Sequence, residues 1–150
     1  VTKAGSRDKH LVQNLDYAET FLEMAGAPIP EDMQGKSLVP LLKGESPKDW
    51  RKGIYYHYYE YPSVHMVPRH YGIRTARYKL MTFYQFDEWE FYDLKKDPDE
   101  LTNLYGDKAQ EKNIQRTKIR LEKLRKHYAD DSDVKVMPKE WQNKVRPPNG

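Results

Sequence analysis

The chain contains no cysteine among its 150 residues. This absence excludes disulfide bonds, thiolate metal sites and cysteine nucleophiles, and it leaves the redox compartment open. No apolar run approaches the roughly 20 residues that a membrane-spanning helix needs, so we expect no membrane span. The first ten residues, VTKAGSRDKH, lack the apolar core of a signal peptide, and a start at Val1 in place of Met favours a fragment of a longer chain.

The common catalytic and cofactor motifs are missing as well. The sequence has no phosphate-binding loop, no G-x-S-x-G nucleophile turn, no H-E-x-x-H pair and no calcium-binding loop. None of the five histidines pair at helical ligand spacing, so we expect no metal site in this chain. The net charge of +3 comes from interspersed charges of both signs and does not require nucleic acid, so we expect no such partner.

The segment DYAETFLEMAGAPIP predicts a short helix over residues 17–25. Asp16 and Glu19 have the spacing of a reciprocal N-terminal capping box, and Gly26 before two prolines ends the helix. The helix has an apolar face that needs a surface to lie on, made of Ala18, Phe21, Leu22 and Ala25. The loop that follows carries three apolar anchors, Leu38, Leu41 and Leu42.

Tyrosine occupies 12 positions, many of them in four short runs typical of β-strands. The runs are IYYHYYEY, HYGIRT, YKLMTFY and WEFYDL, and the short link TARY predicts a hairpin between the second and third. A helix should follow, because Ile114, Thr117, Leu121, Leu124 and Tyr128 recur at intervals of three and four. We therefore predict an α+β fold in which a four-stranded antiparallel sheet packs against a C-terminal helix.

This pattern divides the chain into three parts. Residues 1–50 are predicted to form a short strand, a helix and an anchoring loop, 51–130 the sheet and its helix, and 131–150 a C-terminal arm. The segment WEFYDLKKDPDELTNL predicts a turn at Asp97-Pro98, capped by Asp93 and Glu100, with Asn103-Leu104 docking the exit before the helix. We interpret these acidic residues as structural rather than catalytic.

The densest cluster of hydrogen-bonding side chains lies around the loop HYYEYPSVHMVPRHYGIR. Loops between rigid strands often carry binding residues, and arginine together with histidine suits an anionic ligand. The alternative is a polar sheet edge with tyrosines packed beneath it. The cluster comprises His57, Glu60, Tyr61, His65, Arg69, His70 and Arg74.

Four ordered blocks of the sequence resemble the C-terminal portion of the sulfatase family, within the alkaline-phosphatase-like superfamily. They are LDYAETFLEMAGAPIPEDMQGKSLVPLLKG, WRKGIYYHYYEY, HYGIRTARYKLM and EFYDLKKDPDELTNL. The family pattern includes a G-I-R-T-x-x-Y-K strand pair and an E-L-Y-D-L-x-x-D-P-x-E-x-x-N-L segment. Two departures are small, since Glu19 stands where the family often has proline and Phe91 where it often has leucine. The resemblance covers residues 11–104 by motif.

The resemblance implies that residues 1–50 finish a main α/β sulfatase domain and that the rest forms its C-terminal subdomain. Sulfatases hydrolyse sulfate esters with a formylglycine, made from the cysteine or serine of a C/S-x-P/A-S-R motif, and with a calcium ion in the N-terminal domain. Neither motif is in this chain, where Ser6-Arg7 is a dipeptide without the rest. We therefore predict no sulfate ester hydrolysis by this polypeptide alone, and we expect the N-terminal sulfatase domain as its partner.

The family position of the subdomain, beside the active-site cleft, implies substrate contacts from the loop of residues 60–70. A sulfated carbohydrate would then be bound by His65, Arg69 and His70, with Glu60 or Tyr61 as secondary partners. The parent sulfatase is expected to be exported, although the compartment is unknown. The competing hypothesis is a free-standing binding module for an anionic polysaccharide or nucleic acid, which would place basic residues and exposed rings on one face.

Overall fold

The computed structural model describes residues 2–62, 64–132 and 135–145. The helices are α1 (Asp16–Met24), α2 (Val39–Leu42), α3 (Glu111–His127) and α4 (Lys139–Val145). The strands are β1 (Ile54–Tyr58), β2 (His70–Arg74), β3 (Tyr78–Phe83) and β4 (Glu88–Asp93), and a 3-10 turn at Lys108–Gln110 leads into α3. Within these ranges no helix combines the length and apolar character that crossing a membrane requires.

The chain divides into two compact units, Val1–Ile54 and Tyr55–Gly150. The first unit holds α1 and α2, and the second holds nearly all of the sheet and α3. The short strand predicted in residues 1–50 is wrong, because residues 2–53 contain no strand. The three-part division at residues 1–50, 51–130 and 131–150 stays a prediction.

In the first unit, α1 is held by its polar side. Asp16 and Glu19 are 0% and 2% exposed, and neither makes a capping bond. The Asp16 carboxylate accepts from the Lys36 N–H at 2.9 Å and pairs with Arg51, while Glu19 accepts from the Gly35 N–H at 2.6 Å. The predicted capping box is therefore wrong, because partners distant in the sequence bind both carboxylates.

The apolar side of α1 points outward. Phe21 is 66% exposed and Met24 is 61% exposed, whereas Leu41 of α2 is buried. Leu38 and Leu42 are half-buried, so the predicted anchors are largely covered by their own unit. The predicted apolar face of the helix thus exists but has no cover around Phe21.

In the second unit the four strands form one sheet in the order β1-β2-β3-β4. Strands β2 and β3 pair antiparallel from Tyr71↔Thr82 to Arg74↔Lys79, which confirms the predicted hairpin. Thr75 closes its turn, since its N–H donates to the Tyr78 carbonyl at 2.8 Å and its hydroxyl accepts from the Tyr78 N–H at 2.8 Å. The predicted four-stranded antiparallel sheet with a C-terminal helix is confirmed.

The core of this unit lies between the sheet and α3. Alternation along β2 and β3 turns Ile73 and Leu80 toward the helix, where both are fully buried. Burial of such a side chain stabilises the fold by about 1.5–3 kcal/mol. The core cluster consists of Tyr71, Ile73, Leu80, Tyr84, Phe91, Ile114 and Leu121.

The acidic segment after β4 is structural, as predicted. The Asp97 carboxylate accepts from the N–H groups of Leu101 at 3.1 Å and Thr102 at 2.8 Å, and Asp93 accepts from the Lys95 N–H at 3.2 Å. The predicted cap at Glu100 is wrong, because its carboxylate pairs with Lys79 of the neighbouring sheet surface.

Candidate functional site

The five sequence-predicted binding residues lie in or beside the loop between β1 and β2, and they differ in how far the protein covers them. Glu60 and His65 are exposed. Arg69 and His70 are half-buried, and Tyr61 is 2% exposed. Each of the three covered residues has different surroundings, which decide what it can offer to a ligand.

Tyr61 lies beneath the loop. Its ring meets the ring of Phe86 edge-on, with centroids 6.2 Å apart. Burial raises the pKa of the Tyr61 hydroxyl, and this hydroxyl has no hydrogen-bond partner among the described residues. In this conformation Tyr61 supports the loop from below, and a ligand at the surface does not reach it.

His70 is engaged by the protein itself. Its Nδ1 lies 2.8 Å from the Pro68 carbonyl oxygen, which fixes the proton on that nitrogen because a carbonyl only accepts. Its ring stacks on Tyr58 with centroids 5.5 Å apart and also contacts Phe83 at 5.2 Å. Its Nε2 is the nitrogen left to accept a hydrogen bond from a hydroxyl group.

Arg69 differs from the other arginines of the sheet. Arg77 binds Asp93 with two nitrogens, and Arg74 lies 3.8 Å from Glu100. Arg69 forms no ion pair with any residue in the described ranges, and its Nε is buried without a hydrogen-bond partner. A half-buried guanidinium that has no acidic partner in the described ranges is suited to bind an anionic group from outside the chain through its other nitrogens.

A buried network that sequence reasoning did not assign lies next to this loop. His57 Nδ1 lies 2.8 Å from Asp130 Oδ2, and His57 Nε2 lies 3.2 Å from the Tyr84 hydroxyl. Tyr55 and Ser132 also donate to the Asp130 carboxylate. The His57 and Asp130 side chains are only 2% and 7% exposed. The network therefore ties β1 to the segment that follows α3.

The charges of this network follow from its surroundings. Burial would raise the pKa of Asp130, but the donors Ser132, Tyr55 and His57 hold it well below its usual range. Burial lowers the pKa of His57 more than Asp130 raises it, so the imidazole is neutral. A neutral ring beside an ionised carboxylate must donate from Nδ1, and its Nε2 accepts from the Tyr84 hydroxyl.

Tyr59 stands at the surface beside this network. Its ring is 54% exposed and stacks on His57 with centroids 3.9 Å apart and an interplanar angle of 26°. The signal in the sequence is the alternation of Tyr55, His57 and Tyr59, which places them on one side of the strand and its extension. Asp130, the shared partner of Tyr55 and His57, lies 73 positions from His57, beyond the reach of local sequence patterns.

Across the described part of the chain, no group of three histidine or acidic side chains is placed to hold a metal ion. The expected calcium was assigned to an N-terminal domain, and the residues described here do not fit such a site.

Three comparisons place the chain among known proteins. The family model for the C-terminal part of N-sulphoglucosamine sulphohydrolase matches residues 1–127. The N-acetylglucosamine-6-O-sulfatase of Bacteroides thetaiotaomicron is 50% identical over 137 residues, covering 89% of this chain and 25% of the relative. The delta 4,5-hexuronate-2-O-sulfatase of the same organism is 35% identical over 94 residues, covering 62% of this chain and 19% of that relative.

Solved structures of sulfatases also superimpose on this chain. A protein determined in complex with its substrate D-glucosamine-2-N,6-O-disulfate is 47% identical and superimposes with a TM-score of 0.85, covering 89% of this chain and 28% of that one. A 2-O glycosaminoglycan sulfatase is 28% identical with a TM-score of 0.77, covering 94% of this chain and 30% of the other.

The sheet, its covering helix and the acidic exit turn are those of the C-terminal portion of a sulfatase. The chain belongs to the N-sulphoglucosamine sulphohydrolase C-terminal family, in the alkaline-phosphatase-like superfamily. It spans about a quarter of the length of the first curated relative named above and about a fifth of the second. The resemblance predicted from the four sequence blocks is confirmed.

Proposed function

We propose that this chain is the C-terminal part of a sulfatase that acts on a sulfated glycan. In this proposal it stabilises an N-terminal catalytic domain and completes the substrate cleft. The observation that carries the proposal is the 50% identity with an N-acetylglucosamine-6-O-sulfatase over 89% of the chain. The glucosamine disulfate bound by the structural relative supports an amino sugar carrying sulfate groups as the substrate class.

In the assembled enzyme, the N-terminal domain would supply formylglycine and calcium for cleavage of the sulfate ester. The residues of this chain would bind and orient the sugar. Arg69 is suited to a sulfate or carboxylate, because its half-buried guanidinium has no acidic partner in the described ranges. His70 would accept from a sugar hydroxyl through Nε2, and the exposed Glu60 and His65 would line the rim.

The outward face of α1 supports the partner in this proposal. Phe21 and Met24 are more than half exposed on a helix whose polar side is buried. A polar side turned inward and an apolar side turned outward is the reverse of the arrangement expected for a helix at a free surface. We infer that the N-terminal sulfatase domain covers this face.

The experiment mixes this chain with the separately produced N-terminal part of the 50% identical sulfatase. Size exclusion with light scattering measures the complex, and an apolar dye reports the exposed surface. We expect a one-to-one complex, loss of dye binding and release of sulfate from N-acetylglucosamine 6-sulfate. Neither part should release sulfate alone.

The matched variants are Phe21→Asp on α1 and Leu101→Asp, whose side chain is 82% exposed in the second unit. Phe21→Asp should abolish the complex, and Leu101→Asp should leave it intact. A chain that stays monomeric, ignores the N-terminal part and binds sulfated glycans by itself would instead support the free-standing binding module and overturn this proposal.

A further inference from the structure

Tyr59 is an exposed ring that the protein holds in place. A surface tyrosine usually rotates freely and loses that freedom when a ligand binds. The ring of Tyr59 instead lies against His57 with centroids 3.9 Å apart, and His57 is the one ring that it contacts in the described part of the chain. One face of Tyr59 is therefore supported, and its 54% exposure leaves surface for a ligand.

His57 is a rigid support because both of its nitrogens are used. Nδ1 donates to Asp130 across 2.8 Å, and Nε2 accepts from Tyr84 across 3.2 Å. One donated and one accepted hydrogen bond fix the plane of the imidazole. The ring of Tyr59 stacks on this fixed plane at an interplanar angle of 26°. The support is buried, so water does not compete for these bonds.

Tyr59 and Arg69 lie at the two ends of one loop, directly after β1 and directly before β2. Their chain neighbours Tyr58 and His70 stack with ring centroids 5.5 Å apart, which brings the two loop ends together. Burial raises the pKa of Tyr84 and the positive charge of Arg69 lowers it, in keeping with this placement. A supported ring and a guanidinium without an acidic partner in the described ranges thus lie at the same end of β1 and β2.

We propose that Tyr59 is a stacking platform for a pyranose ring whose sulfate or carboxylate group is bound by Arg69, with His57 as the positioning residue of the platform. The axial C–H groups on one face of a pyranose carry slight positive charge and pack on the negative face of an aromatic ring. The ligand class is an anionic sugar, and this inference rests on the proposed function. It adds a ring-binding residue to the predicted anion-binding arginine.

The experiment titrates the 150-residue chain with D-glucosamine 6-sulfate and with unsulfated D-glucosamine, following backbone NMR signals of residues 59–69. Tyr59→Leu removes the aromatic face and should weaken binding of both sugars about tenfold. Tyr59→Phe keeps the ring and should bind within about twofold of the natural chain. Tyr17→Leu, which changes a 56% exposed tyrosine on α1, is the matched control and should have no effect.

The other two residues are tested by the ratio of the two affinities. Arg69→Gln should remove the preference for the sulfated sugar. His57→Gln should weaken both sugars while leaving that preference unchanged, a result that general loss of structure would not give. NMR signals of β3 and β4 report whether each variant keeps its sheet.

The proposal is overturned if Tyr59→Leu binds both sugars as tightly as the natural chain, or if no signal in residues 59–69 responds to either sugar. These outcomes are separate from the assembly experiment. A chain that captures the N-terminal part but binds sugar without Tyr59 would contradict only the platform. A chain that uses Tyr59 for sugar but ignores the N-terminal part would contradict only the proposed function.

Discussion

Arg51 and Asp16, 35 positions apart in the sequence, form a two-nitrogen ion pair inside the first unit. Their side chains are 7% and 0% exposed. Burial would raise the pKa of Asp16, but Arg51 and the N–H groups of Lys36 and Gln13 hold it below its usual range. The pair fastens the start of α1 to the chain just before the sheet.

Replacing Arg51 by methionine should strongly destabilise the first unit. The Asp16 carboxylate would stay buried without its countercharge, and breaking a buried pair in this way costs about 3–5 kcal/mol. NMR during urea unfolding can follow the indole N–H signal of Trp50. This N–H donates to the Leu11 carbonyl at 2.9 Å, so the signal reports on the first unit.

The matched control is Asp49→Ala, which breaks the exposed pair of Lys36 and Asp49. Its effect on the free energy of unfolding should stay below about 1 kcal/mol, because solvent screens the pair. Equal losses of unfolding free energy in the two variants would show that the buried pair stabilises the chain no more than the exposed pair does.

Asn103 is expected to be the most sensitive residue of the exit turn. Its Oδ1 accepts from the N–H groups of Phe91 at 3.0 Å and Tyr105 at 2.9 Å, and its Nδ2 donates to the Trp89 carbonyl at 3.1 Å. Asn103→Ala should reduce the free energy of unfolding by about 1–3 kcal/mol, because both N–H groups lose their acceptor.

Asn103→Asp provides the comparison, since it keeps the acceptor and loses only the donor to Trp89. Its cost should be smaller than that of Asn103→Ala. Urea unfolding gives both free energies, and hydrogen exchange of the Phe91 amide gives the local effect. An alanine variant whose Phe91 amide stays as protected as in the natural chain would contradict the assigned role.

Gly72 allows two groups to approach the middle of β2. A Cβ atom at this position would lie 2.6 Å from the Leu80 carbonyl oxygen and 2.6 Å from the Tyr56 hydroxyl. Gly72→Ala should therefore destabilise the chain by about 1–3 kcal/mol, since the backbone of β3 cannot move away without breaking the pairing. Thermal or urea unfolding measures the change.

The double variant Gly72→Ala with Tyr56→Phe separates the two contacts. Tyr56→Phe alone should be neutral or stabilising, because the buried Tyr56 hydroxyl has no hydrogen-bond partner in the part of the chain that the structure describes. The double variant should recover part of the loss and keep the part caused by the Leu80 carbonyl. Full recovery would mean that the backbone contact is unimportant.

The sequence predicted those features that depend on neighbours. The hairpin at Thr75, the apolar stripe of α3 with Leu121 and the docking of Asn103 follow from spacings that act over a few residues. The local spacing of Asp16 and Glu19 gave a wrong prediction. It predicts a capping box, but the Glu19 carboxylate accepts from the N–H of Gly35. A propensity for a local bond does not decide the outcome when a distant partner competes.

The candidate site shows the same limit more clearly. The charge of Arg69 and its place in a loop predict an anion-binding role. The sequence does not show that Arg69 lacks an acidic partner in the described ranges, because that depends on the fold. His57 lay in the same cluster, but its role depends on Asp130. The predicted binding roles of His65, Arg69, His70, Glu60 and Tyr61 stay predictions.

The buried His57 makes stability depend on pH in a defined direction. Its pKa in the folded chain is lowered from 6.5, first by burial, so the unfolded chain binds a proton more readily than the folded chain. Stability should therefore be fully present above about pH 6.5 and decrease as the pH falls toward the folded pKa. For one proton the slope is at most about 1.4 kcal/mol per pH unit.

The test compares free energies of unfolding at about pH 7.5 and about pH 5.5 for the natural chain and two variants. His57→Gln should lose part of the pH dependence, and His127→Gln, which changes an exposed histidine at the end of α3, is the comparison for a histidine outside the network. Asp130 stays ionised across this interval, since the donors that bind it hold its pKa well below its usual range despite burial. An unchanged pH dependence in His57→Gln would mean that His57 takes up its proton in the folded chain as easily as in the unfolded chain, contrary to the closed network described here.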